Sequence, residues 1–404
     1  MTALQVKTRY VAALIFVIAI LVRLGFAAIS PAPPNIYDNE MHRAARSMAI
    51  SGVLSNPYYC QTGPTAHVAP GYAAILALIY RFSKSPQLWI IAISTIISSL
   101  TYALLPWLSE LLYGNIVIGA IAGIFGAFMP WLPGMEARGA WEVCWVACFL
   151  ILAACLTIRG SLMKAGFVWG IAFLFGPALL PIFIVMAAFA RRKAAAMVII
   201  ALAIVAPWIW RDYIQLGKPY WIRSNLGLEL HVSNNPNSAA NGYANLWATD
   251  SFDFHPAHGN VACAEVQRVG EAAYMATQMN AAVSWIRFNP AQFARLTLLR
   301  IWYFWSPAYG SRLRQIATFL TTLLALAGGL WSLRSCPASR GLVIGAFVAF
   351  PVTYYLIQAD ARYRAPIQPL LLLAAAYGAA ESFKLFKKNL GVKASVQPAP
   401  LRNS

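Results

Sequence analysis

Two carboxylates lie close together in a chain that has few of them. Asp38 and Glu40 are two of only 13 acidic residues among 404, and His42 and Arg43 follow directly. A positioned carboxylate can act as a general base, and two close carboxylates can also hold a divalent ion. An arginine beside them could bind an anionic substrate. This segment is therefore our first candidate for a catalytic centre.

The residues after the carboxylates have the spacing of a helix. Asn39, Arg43 and Arg46 fall on one face, at intervals of four and three. Either Asp38 or Asn39 is a suitable N-cap for this helix. An alternative interpretation is therefore that Asp38 only caps the helix, with Glu40 in its first turn.

Two further segments carry groups that can bind an anion. His67 lies in the Gly- and Pro-rich stretch Thr62-Gly-Pro-Thr-Ala-His-Val-Ala-Pro-Gly-Tyr72, although a lone histidine is more often structural. Arg362 and Arg364 lie close to a third acidic residue, Asp360, and could grip phosphate oxygens in a fork. Their alternative role is a salt bridge with Asp360 or contact with lipid headgroups.

Other polar residues give weaker signals. Glu136, Arg138 and Glu142 lie near a helix end, where we expect them to be solvated. His255 and His258 form a loose pair without a nearby cysteine or a HExxH pattern, so we assign no metal site to them. No P-loop or dinucleotide-binding glycine motif occurs, which argues against a cytosolic nucleotide donor.

The composition is that of a membrane protein. Hydrophobic residues make up 60% of the chain and charged residues only 11%, with a mean hydropathy of +0.60. Soluble domains are about 25% charged, so this chain needs lipid as its solvent. The net charge of +18 is explained by Lys and Arg in cytoplasmic loops that face anionic headgroups. No basic stripe or recognition motif points to nucleic acid.

Apolar runs bounded by charge, Pro or Gly predict about ten transmembrane helices, since a span needs roughly 20 residues. The first run has no clear cleavage site, so we expect a retained helix and not a cleaved signal peptide. The predicted spans are 10–29, 88–108, 114–131, 141–158, 165–178, 179–190, 194–210, 315–333, 341–358 and 365–383.

The basic residues predict the orientation of the chain. Ten spans place the Lys and Arg clusters, such as Arg191-Arg192-Lys193, on the cytoplasmic side together with both termini. Residues 1–211 would then form an N-terminal catalytic transmembrane module that includes a first outer loop, 30–87. The region 212–314 is a larger outer loop or small subdomain, and 315–404 holds the last helices and a cytoplasmic tail. Gly71–Phe82 is too short to span, and we expect a helix that lies along or dips into the outer face without crossing.

Six cysteines occur, and only Cys60 and Cys263 fall in predicted outer loops. An oxidising outer compartment would permit a disulfide between these two. Their Cα atoms must then lie within about 7 Å of each other.

The chain resembles the GT-C superfamily of membrane glycosyltransferases. It is most similar to the protein O-mannosyltransferase, lipid A aminoarabinose transferase and galacturonosyltransferase-like groups, over most of its length. Five segments in order carry the resemblance: Tyr37-Asp-Asn-Glu-Met-His42, Thr65-Ala-His-Val-Ala-Pro-Gly-Tyr72, Ala206-Pro-Trp-Ile-Trp-Arg-Asp-Tyr213, Asn225-Leu-Gly-Leu-Glu-Leu-His-Val-Ser-Asn-Asn-Pro236 and Ala361-Arg-Tyr-Arg-Ala-Pro-Ile-Gln-Pro369.

The resemblance implies roles for individual residues. Asp38 matches the essential first-loop acid, and Glu40 occupies the second acidic place of a variable pattern. At His67 the chain departs from the aminoarabinose transferases, which tend to carry Lys there. The residues to which we assign substrate binding are His42, Arg43, Arg46, His67, Tyr72, Asn234, Asn235, Arg362 and Arg364.

The implied reaction is transfer of a sugar from a polyprenyl-phosphate donor to a hydroxyl of a glycan, lipid or protein on the outer face of a bacterial inner membrane. Asp38 would be the general base, arginines would stabilise the phosphate, and the anomeric carbon would invert. The alternatives are a transporter or flippase for a lipid-linked sugar, and an oligosaccharide polymerase or ligase. The sequence leaves open the sugar, the acceptor, the oligomeric state and any need for a divalent cation.

Overall fold

A computed structural model describes residues 3–30, 35–128, 133–246, 253–306 and 312–389. Within these ranges the regular secondary structure is helical, without a β-strand, and two isolated β-bridges are the only sheet-like pairing. The protein is an all-α polytopic membrane protein, as its apolar runs predict. The predicted end of the span 114–131, and parts of the loops at 30–87, 212–314 and the C-terminal tail, lie outside the described residues.

Twenty-one α-helices follow one another along the described chain. They are α1 Ala3–Ile29, α2 Glu40–Ser51, α3 Pro70–Phe82, α4 Pro86–Ala103, α5 Leu105–Tyr113, α6 Ile116–Phe128, α7 Pro133–Arg138, α8 Val143–Ile158, α9 Leu162–Phe175, α10 Leu180–Ala190, α11 Ala195–Leu216, α12 Leu226–Ser233, α13 Gly242–Leu246, α14 Asn260–Val269, α15 Glu271–Phe288, α16 Pro290–Trp305, α17 Arg312–Ser335, α18 Arg340–Ile344, α19 Phe350–Leu356, α20 Ala361–Arg364 and α21 Gln368–Asn389. Four 3₁₀ turns and one π-helical turn, Gly345–Ala349, connect some of them.

Each predicted span coincides with a helix, but the described helices differ in length. Six helical stretches are long and apolar enough to cross a membrane: Val6–Ile29, Pro86–Tyr113, Pro177–Leu216, Gln315–Ser335, Pro337–Leu356 and Ala361–Lys387. The predicted spans 179–190 and 194–210 both lie within the 40-residue stretch Pro177–Leu216, with a 3₁₀ turn at Arg191–Ala194. Helices α3, α6, α8 and α9 are apolar but shorter, and a 13-residue helix is only about 20 Å long. The number of ten crossings therefore stays a prediction.

Helices α2 and α3 pack against each other and carry the first candidate residues. Asn39 caps α2, because its side-chain oxygen accepts a hydrogen bond from the His42 N–H at 3.1 Å. Gly52 ends the helix in the left-handed conformation with φ of +76°. Pro70 begins α3 at its first turn, where a missing N–H costs nothing.

Helices make up most of the described residues 212–246 and 253–306, where the sequence predicts a long loop or small subdomain. Helices α12, α14 and α15 share a small apolar core of their own, which includes Tyr58 from the first outer loop. The sequences of these outer helices are only moderately apolar, so hydropathy alone does little to predict the helices. The predicted bond between Cys60 and Cys263 is confirmed, with their Cα atoms 6.2 Å apart. It joins the first outer loop to α14.

A buried ion pair ties α7 to the first helix. Arg23 of α1 is fully buried, and its Nη2 donates to Glu136 Oε2 at 2.9 Å. Ser98 of α4 accepts from Arg23 Nε at 2.6 Å. Arg138 is also buried and donates to the carbonyl groups of Ala27 and Ser30. The prediction that Glu136 and Arg138 are solvated is wrong, because α7 folds inward against α1 and α4.

Gly139 follows α7 at a position that only glycine fits. Its φ is +65°, and a Cβ there would collide with the hydroxyl oxygens of Ser94 and Tyr72. The Tyr72 hydroxyl donates a hydrogen bond to the Gly139 carbonyl. The turn that leads from α7 to α8 therefore has its path set by contact with α3 and α4.

We predict that Gly139→Ala destabilises the protein by about 2–4 kcal/mol, from the left-handed backbone and the steric overlap together. Thermal unfolding of the purified protein measures the loss. Gly160→Ala is the matched control, because Gly160 has φ of +80° with no atom near its Cβ position. It should lose only about 1 kcal/mol. Equal losses in the two variants would contradict the packing argument.

Free thiols test the disulfide directly. The unfolded protein should present four reactive thiols before reduction, those of Cys144, Cys148, Cys155 and Cys336, and six after it. The Cys60→Ser variant should present five under both conditions, because Cys263 loses its partner. Six thiols in the unreduced wild-type protein, purified without reductant, would rule the bond out.

Candidate active site

One cavity of about 460 Å³ gathers much of the chain's ionisable chemistry. Five of the 13 acidic residues and three of the five histidines line it, in a chain that is 60% hydrophobic. The charged and imidazole side chains in its wall are Asp38, Glu40, Arg43, His67, Glu142, Arg223, Glu229, His255, His258, Asp360 and Arg362. Scarce polar groups from four separate parts of the chain thus meet at one place.

Asp38 projects into this cavity from the residue before the N-cap of α2. Because Asn39 makes the capping hydrogen bond, the carboxylate of Asp38 is released from that role. Arg43 Nε donates to Asp38 Oδ1 at 2.9 Å, and the Tyr59 hydroxyl donates to Oδ2 at 3.0 Å. The Arg43 guanidinium also stacks on the Tyr59 ring, 3.5 Å from its centroid. The interpretation of Asp38 as a mere helix cap is therefore wrong.

These partners keep Asp38 ionised. The hydrogen bond from Arg43 is the largest cause that lowers the pKa of Asp38, and Tyr59 and Arg46 act in the same direction. Each carboxylate oxygen has a second lone pair beyond the hydrogen bond it already accepts. The group can therefore still take a proton from a substrate hydroxyl.

Glu40 lies in a different set of contacts from Asp38. The ligand atoms of Glu40, His67 and His255 all lie within 4.8 Å of one another. Burial is the largest single cause and raises the pKa of Glu40, but His255, His67, a backbone hydrogen bond and Arg362 together lower it to about 2. Burial lowers the pKa of His67 to about 3. At neutral pH this cluster therefore offers a carboxylate anion and a neutral imidazole, which are the forms that bind a metal.

Glu271 of α15 holds the segment that carries His67. Its carboxylate accepts hydrogen bonds from the Thr65 hydroxyl, from the Ala66 N–H at 2.9 Å and from the Ser224 hydroxyl at 2.6 Å. Arg223 adds a bond from its Nε to the His67 carbonyl at 2.8 Å. Burial raises the pKa of Glu271, and these donors oppose that effect. The outer helical region thus fixes the histidine segment of the first loop.

Arg362 also lines the cavity, at the start of the last helical stretch. Its guanidinium lies 4.7 Å from the ring centroid of Trp141, and Asp360 caps the short helix α20 through the Arg362 N–H. Arg362 and Asp360 form no ion pair in the described part of the chain. Buried N–H groups on two cavity arginines have no partner there, namely Arg43 Nη1 and Arg362 Nε. Unpaired buried donors are costly, so these two are suited to an anionic ligand.

Five of the eleven predicted site residues line the cavity, and six do not. Asp38, Glu40, Arg43, His67 and Arg362 are brought together in its wall. The others lie outside it in contacts of their own: His42, Arg46, Tyr72, Asn234, Asn235 and Arg364.

Those six side chains contact the elements around the cavity. His42 is buried, with Nδ1 2.7 Å from the Tyr80 hydroxyl, and burial lowers the pKa of His42 to about 4. Arg46 reaches Asp38 Oδ1 at 3.5 Å from outside the wall. Asn234 accepts from buried Arg300 at 3.1 Å and donates to the Leu356 carbonyl.

The remaining members of the six hold helix ends and helix pairs. Asn235 donates to the carbonyl groups at the end of α12. Tyr72 donates to the Gly139 carbonyl. Arg364 donates to Thr322 of α17 at 2.8 Å and to the Trp305 carbonyl at the end of α16. Their predicted part in substrate binding stays a prediction.

The structure adds cavity residues that the sequence does not single out as a group. Tyr59 and Trp141 are aromatic residues without a distinctive spacing, and Glu229 lies within an apolar helix. His255 is the most informative addition, because it comes from the outer region 188 positions after His67. For Glu229 and Glu142, the one feature of the sequence that could have indicated a functional role is that charged residues are rare in this chain.

No protein-family model matches the sequence, and no curated protein matches it. Solved structures of an archaeal oligosaccharyltransferase from Archaeoglobus fulgidus share its fold at 12% identity. AglB in complex with an inhibitory peptide and a dolichol-phosphate has a TM-score of 0.52, over 97% of this chain and 52% of that chain. The enzyme tethered to an acceptor peptide with the NVT sequon has a TM-score of 0.53, over 96% and 52%. Its apo form has a TM-score of 0.54, over 96% and 53%.

This chain therefore spans about half the length of those structures. At 12% identity the likeness is one of fold.

Proposed function

We propose that the protein is an integral-membrane glycosyltransferase that moves a sugar from a polyprenyl-phosphate donor to a hydroxyl acceptor. The observation that carries this proposal is the cavity itself. An ionised carboxylate, Asp38, shares it with two arginines that have unpaired buried N–H groups. A base for a hydroxyl and a site for a phosphate are the two parts that such a transfer needs.

A lipid-linked donor fits a cavity set among membrane helices. Pro177, Val146 and Phe350 line it together with the charged groups, and they belong to apolar helical stretches. The tail of the donor can then lie in lipid while its phosphate reaches Arg43 and Arg362. The neighbouring oligosaccharyltransferase structures hold a dolichol-phosphate and an acceptor peptide, which supports a donor and an acceptor of this general kind.

The chemical step would be a single displacement with inversion. The acceptor oxygen attacks the anomeric carbon while Asp38 takes its proton. The bond from the anomeric carbon to the phosphate oxygen breaks, and the phosphate leaves with the electron pair through an oxocarbenium-like transition state. Because the leaving group is already anionic, it needs positive charge more than a proton, and Arg43 and Arg362 are placed to supply it.

The outer face is the side that we propose for this reaction, with the periplasm as its compartment and both termini in the cytoplasm. The disulfide between Cys60 and Cys263 supports this orientation, because such bonds persist in oxidising compartments. Both cysteines lie near the cavity wall, seven residues before His67 and eight after His255.

Transport of a lipid-linked sugar would need charged groups along a path through the membrane. The buried arginines of the helical bundle have structural partners, as in Arg23 with Glu136 and Arg364 with Thr322. The convergence of Asp38, His67 and Arg362 on one cavity favours transfer over transport. The acceptor hydroxyl would belong to a glycan, a lipid or a protein.

We predict that Asp38→Asn lowers transfer by at least about 100-fold, since a positioned general base contributes roughly 10²–10⁴-fold. The measurement is mass spectrometry of lipid-linked sugars and surface glycans in cells that carry each variant. Glu265→Gln is the matched control, because Glu265 is an exposed acid that pairs only with Arg268 in the described chain. Full activity in Asp38→Asn at equal expression would overturn the proposed function.

The pH dependence of transfer should follow the environment of Asp38. Since Arg43 is the largest cause that lowers the pKa of Asp38, the base stays ionised above that lowered pKa, and activity is lost as the pH falls through it. Arg43→Gln should raise the pKa and move the acidic limb of the kcat/KM profile to higher pH. Arg46→Gln is the control and should move it less, because Arg46 is 3.5 Å away and is the smallest of the causes. An unmoved limb in Arg43→Gln would contradict the role of Asp38 as the titrating base.

A further inference from the structure

We propose that Glu40, His67 and His255 together bind one first-row transition-metal ion, of the Zn²⁺ or Mn²⁺ type, in the wall of the cavity. The three residues come from the first turn of α2, from the segment before α3 and from the outer helical region. Their ligand atoms lie within 4.8 Å of one another although 215 positions separate Glu40 from His255. No sequence motif links them.

The distances suit closure around an ion. Nitrogen and oxygen ligands lie about 2.0–2.2 Å from zinc, which puts tetrahedral ligand atoms roughly 3.4 Å apart. Three ligand atoms that lie within 4.8 Å of one another would need to approach by at most about 1.4 Å to form such a shell. Three protein ligands then leave at least one coordination position open towards the cavity.

The ligand types select the kind of metal. Two imidazoles and one carboxylate suit Zn²⁺, Fe²⁺, Mn²⁺ and their neighbours, whereas Mg²⁺ and Ca²⁺ prefer oxygen ligands alone. A pair of close carboxylates would favour Mg²⁺, but Asp38 is turned to Arg43 and Tyr59 and is separated from the histidine cluster.

The ring of His67 is held in a way that suits a ligand. The Tyr58 hydroxyl lies 3.0 Å from Nδ1, which fixes the ring and leaves Nε2 available. The ring centroid of His255 lies 6.0 Å from that of His67, with the rings nearly perpendicular. His255 Nδ1 accepts a 3.2 Å bond from the Ala257 N–H. A metal ion at His255 Nε2 would require the tautomer with a proton on Nδ1. The Ala257 N–H could then no longer donate to Nδ1, so metal binding would break this one long hydrogen bond.

The charge of the cavity gives an independent argument for a cation. Five carboxylates face three arginines in its wall, and acids still outnumber arginines when Arg46 behind Asp38 is counted. An anionic phosphate entering this cavity adds to an excess of negative charge. A divalent ion beside Glu40 would offset that excess.

On the proposed function, the open coordination position would take a phosphate oxygen of the lipid-linked donor. A bound metal supplies charge stabilisation to a leaving phosphate. The ion and the arginines would then hold the same phosphate from different sides, while Asp38 remains free to act on the acceptor. Metal binding itself can be tested without any sugar donor.

The test uses the full chain, purified with a tag that lacks histidine and stripped with a chelator. Titration calorimetry with ZnCl₂, MnCl₂ and MgCl₂ gives the affinity and the stoichiometry of metal binding. Elemental mass spectrometry gives the amount of metal that the stripped protein retains after it has been reloaded with one of these salts. Wild-type protein should retain about one Zn²⁺ or Mn²⁺ per chain and bind Mg²⁺ far more weakly. His255→Ala should weaken binding by more than about 100-fold, since even loss of a ligand's hydrogen-bond partner costs roughly 10- to 100-fold. Glu40→Gln and His67→Ala should behave alike.

His258→Ala is the matched control, because His258 lines the same cavity but lies outside the three-residue cluster. It should keep its metal. Equal loss in His258→Ala and His255→Ala, or the absence of Zn²⁺ and Mn²⁺ binding in a folded wild-type protein, overturns the proposal. A rise in wild-type melting temperature with Zn²⁺ but not with Mg²⁺ checks it without any variant.

Failure of the metal site and failure of the proposed function give different results. If stripped wild-type protein still transfers sugar while Asp38→Asn does not, the proposed function stands and the role of the metal at the phosphate is overturned. If wild-type protein binds metal but makes no glycosyl product, the metal site stands and the proposed function fails.

Discussion

Three consecutive backbone carbonyls hold the loop that carries Asp38 in place. The Tyr37 hydroxyl donates to the Arg138 carbonyl at 2.8 Å, the Tyr72 hydroxyl to that of Gly139, and Asn39 Nδ2 to that of Ala140 at 3.0 Å. Two donors flank Asp38 in sequence, and the third lies in the first turn of α3. Because each bond is made by a different side chain, the position of Asp38 depends on the exact path of residues 138–140.

The path of that turn is set from inside the helical bundle. Glu136 receives hydrogen bonds from Arg23 of α1 and Ser98 of α4, both buried. In an apolar environment an unpaired charge is expensive, so removing either partner of the ion pair should displace the other. The membrane helices thus act on the cavity through two steps: they fix α7, and the carbonyl groups after α7 fix the loop that carries Asp38.

The sequence predicts the membrane helices better than the outer helices, for a physical reason. A lipid-facing helix needs a long apolar run, and ten such runs are visible in the chain, each matched by a helix. The outer helices bury only a small core around Tyr58, Leu228 and Tyr274, so their sequences remain mixed in polarity. Glu136 and Arg138 illustrate a second limit. A charged residue near a helix end is predicted to be solvated unless its partner is known. Here the partner lies on a helix more than 100 residues away.

The candidate site, like the fold, could be predicted from the sequence only in part. Asp38, Glu40, His67 and Arg362 are visible in the sequence because charge is rare and because the segments around them resemble a known superfamily. Which of them meet is a matter of long-range contacts, and five of the eleven predicted residues line the cavity. His255 could not be paired with His67 from the sequence, because the disulfide and Glu271 that bring the two regions together act across more than 200 positions.

The separation of the two acidic side chains follows from where the helix begins. Asp38 precedes the N-cap Asn39, whose backbone is extended, whereas Glu40 is the first residue of α2. The change from extended to helical backbone between them turns the two side chains in different directions, although only one residue intervenes. Asp38 therefore meets Arg43, one turn further along the same helix, and Glu40 meets histidines from other segments. A pair of acids that straddles an N-cap can thus serve two separate tasks, and those that we propose here are a base for the acceptor and a ligand for a cation.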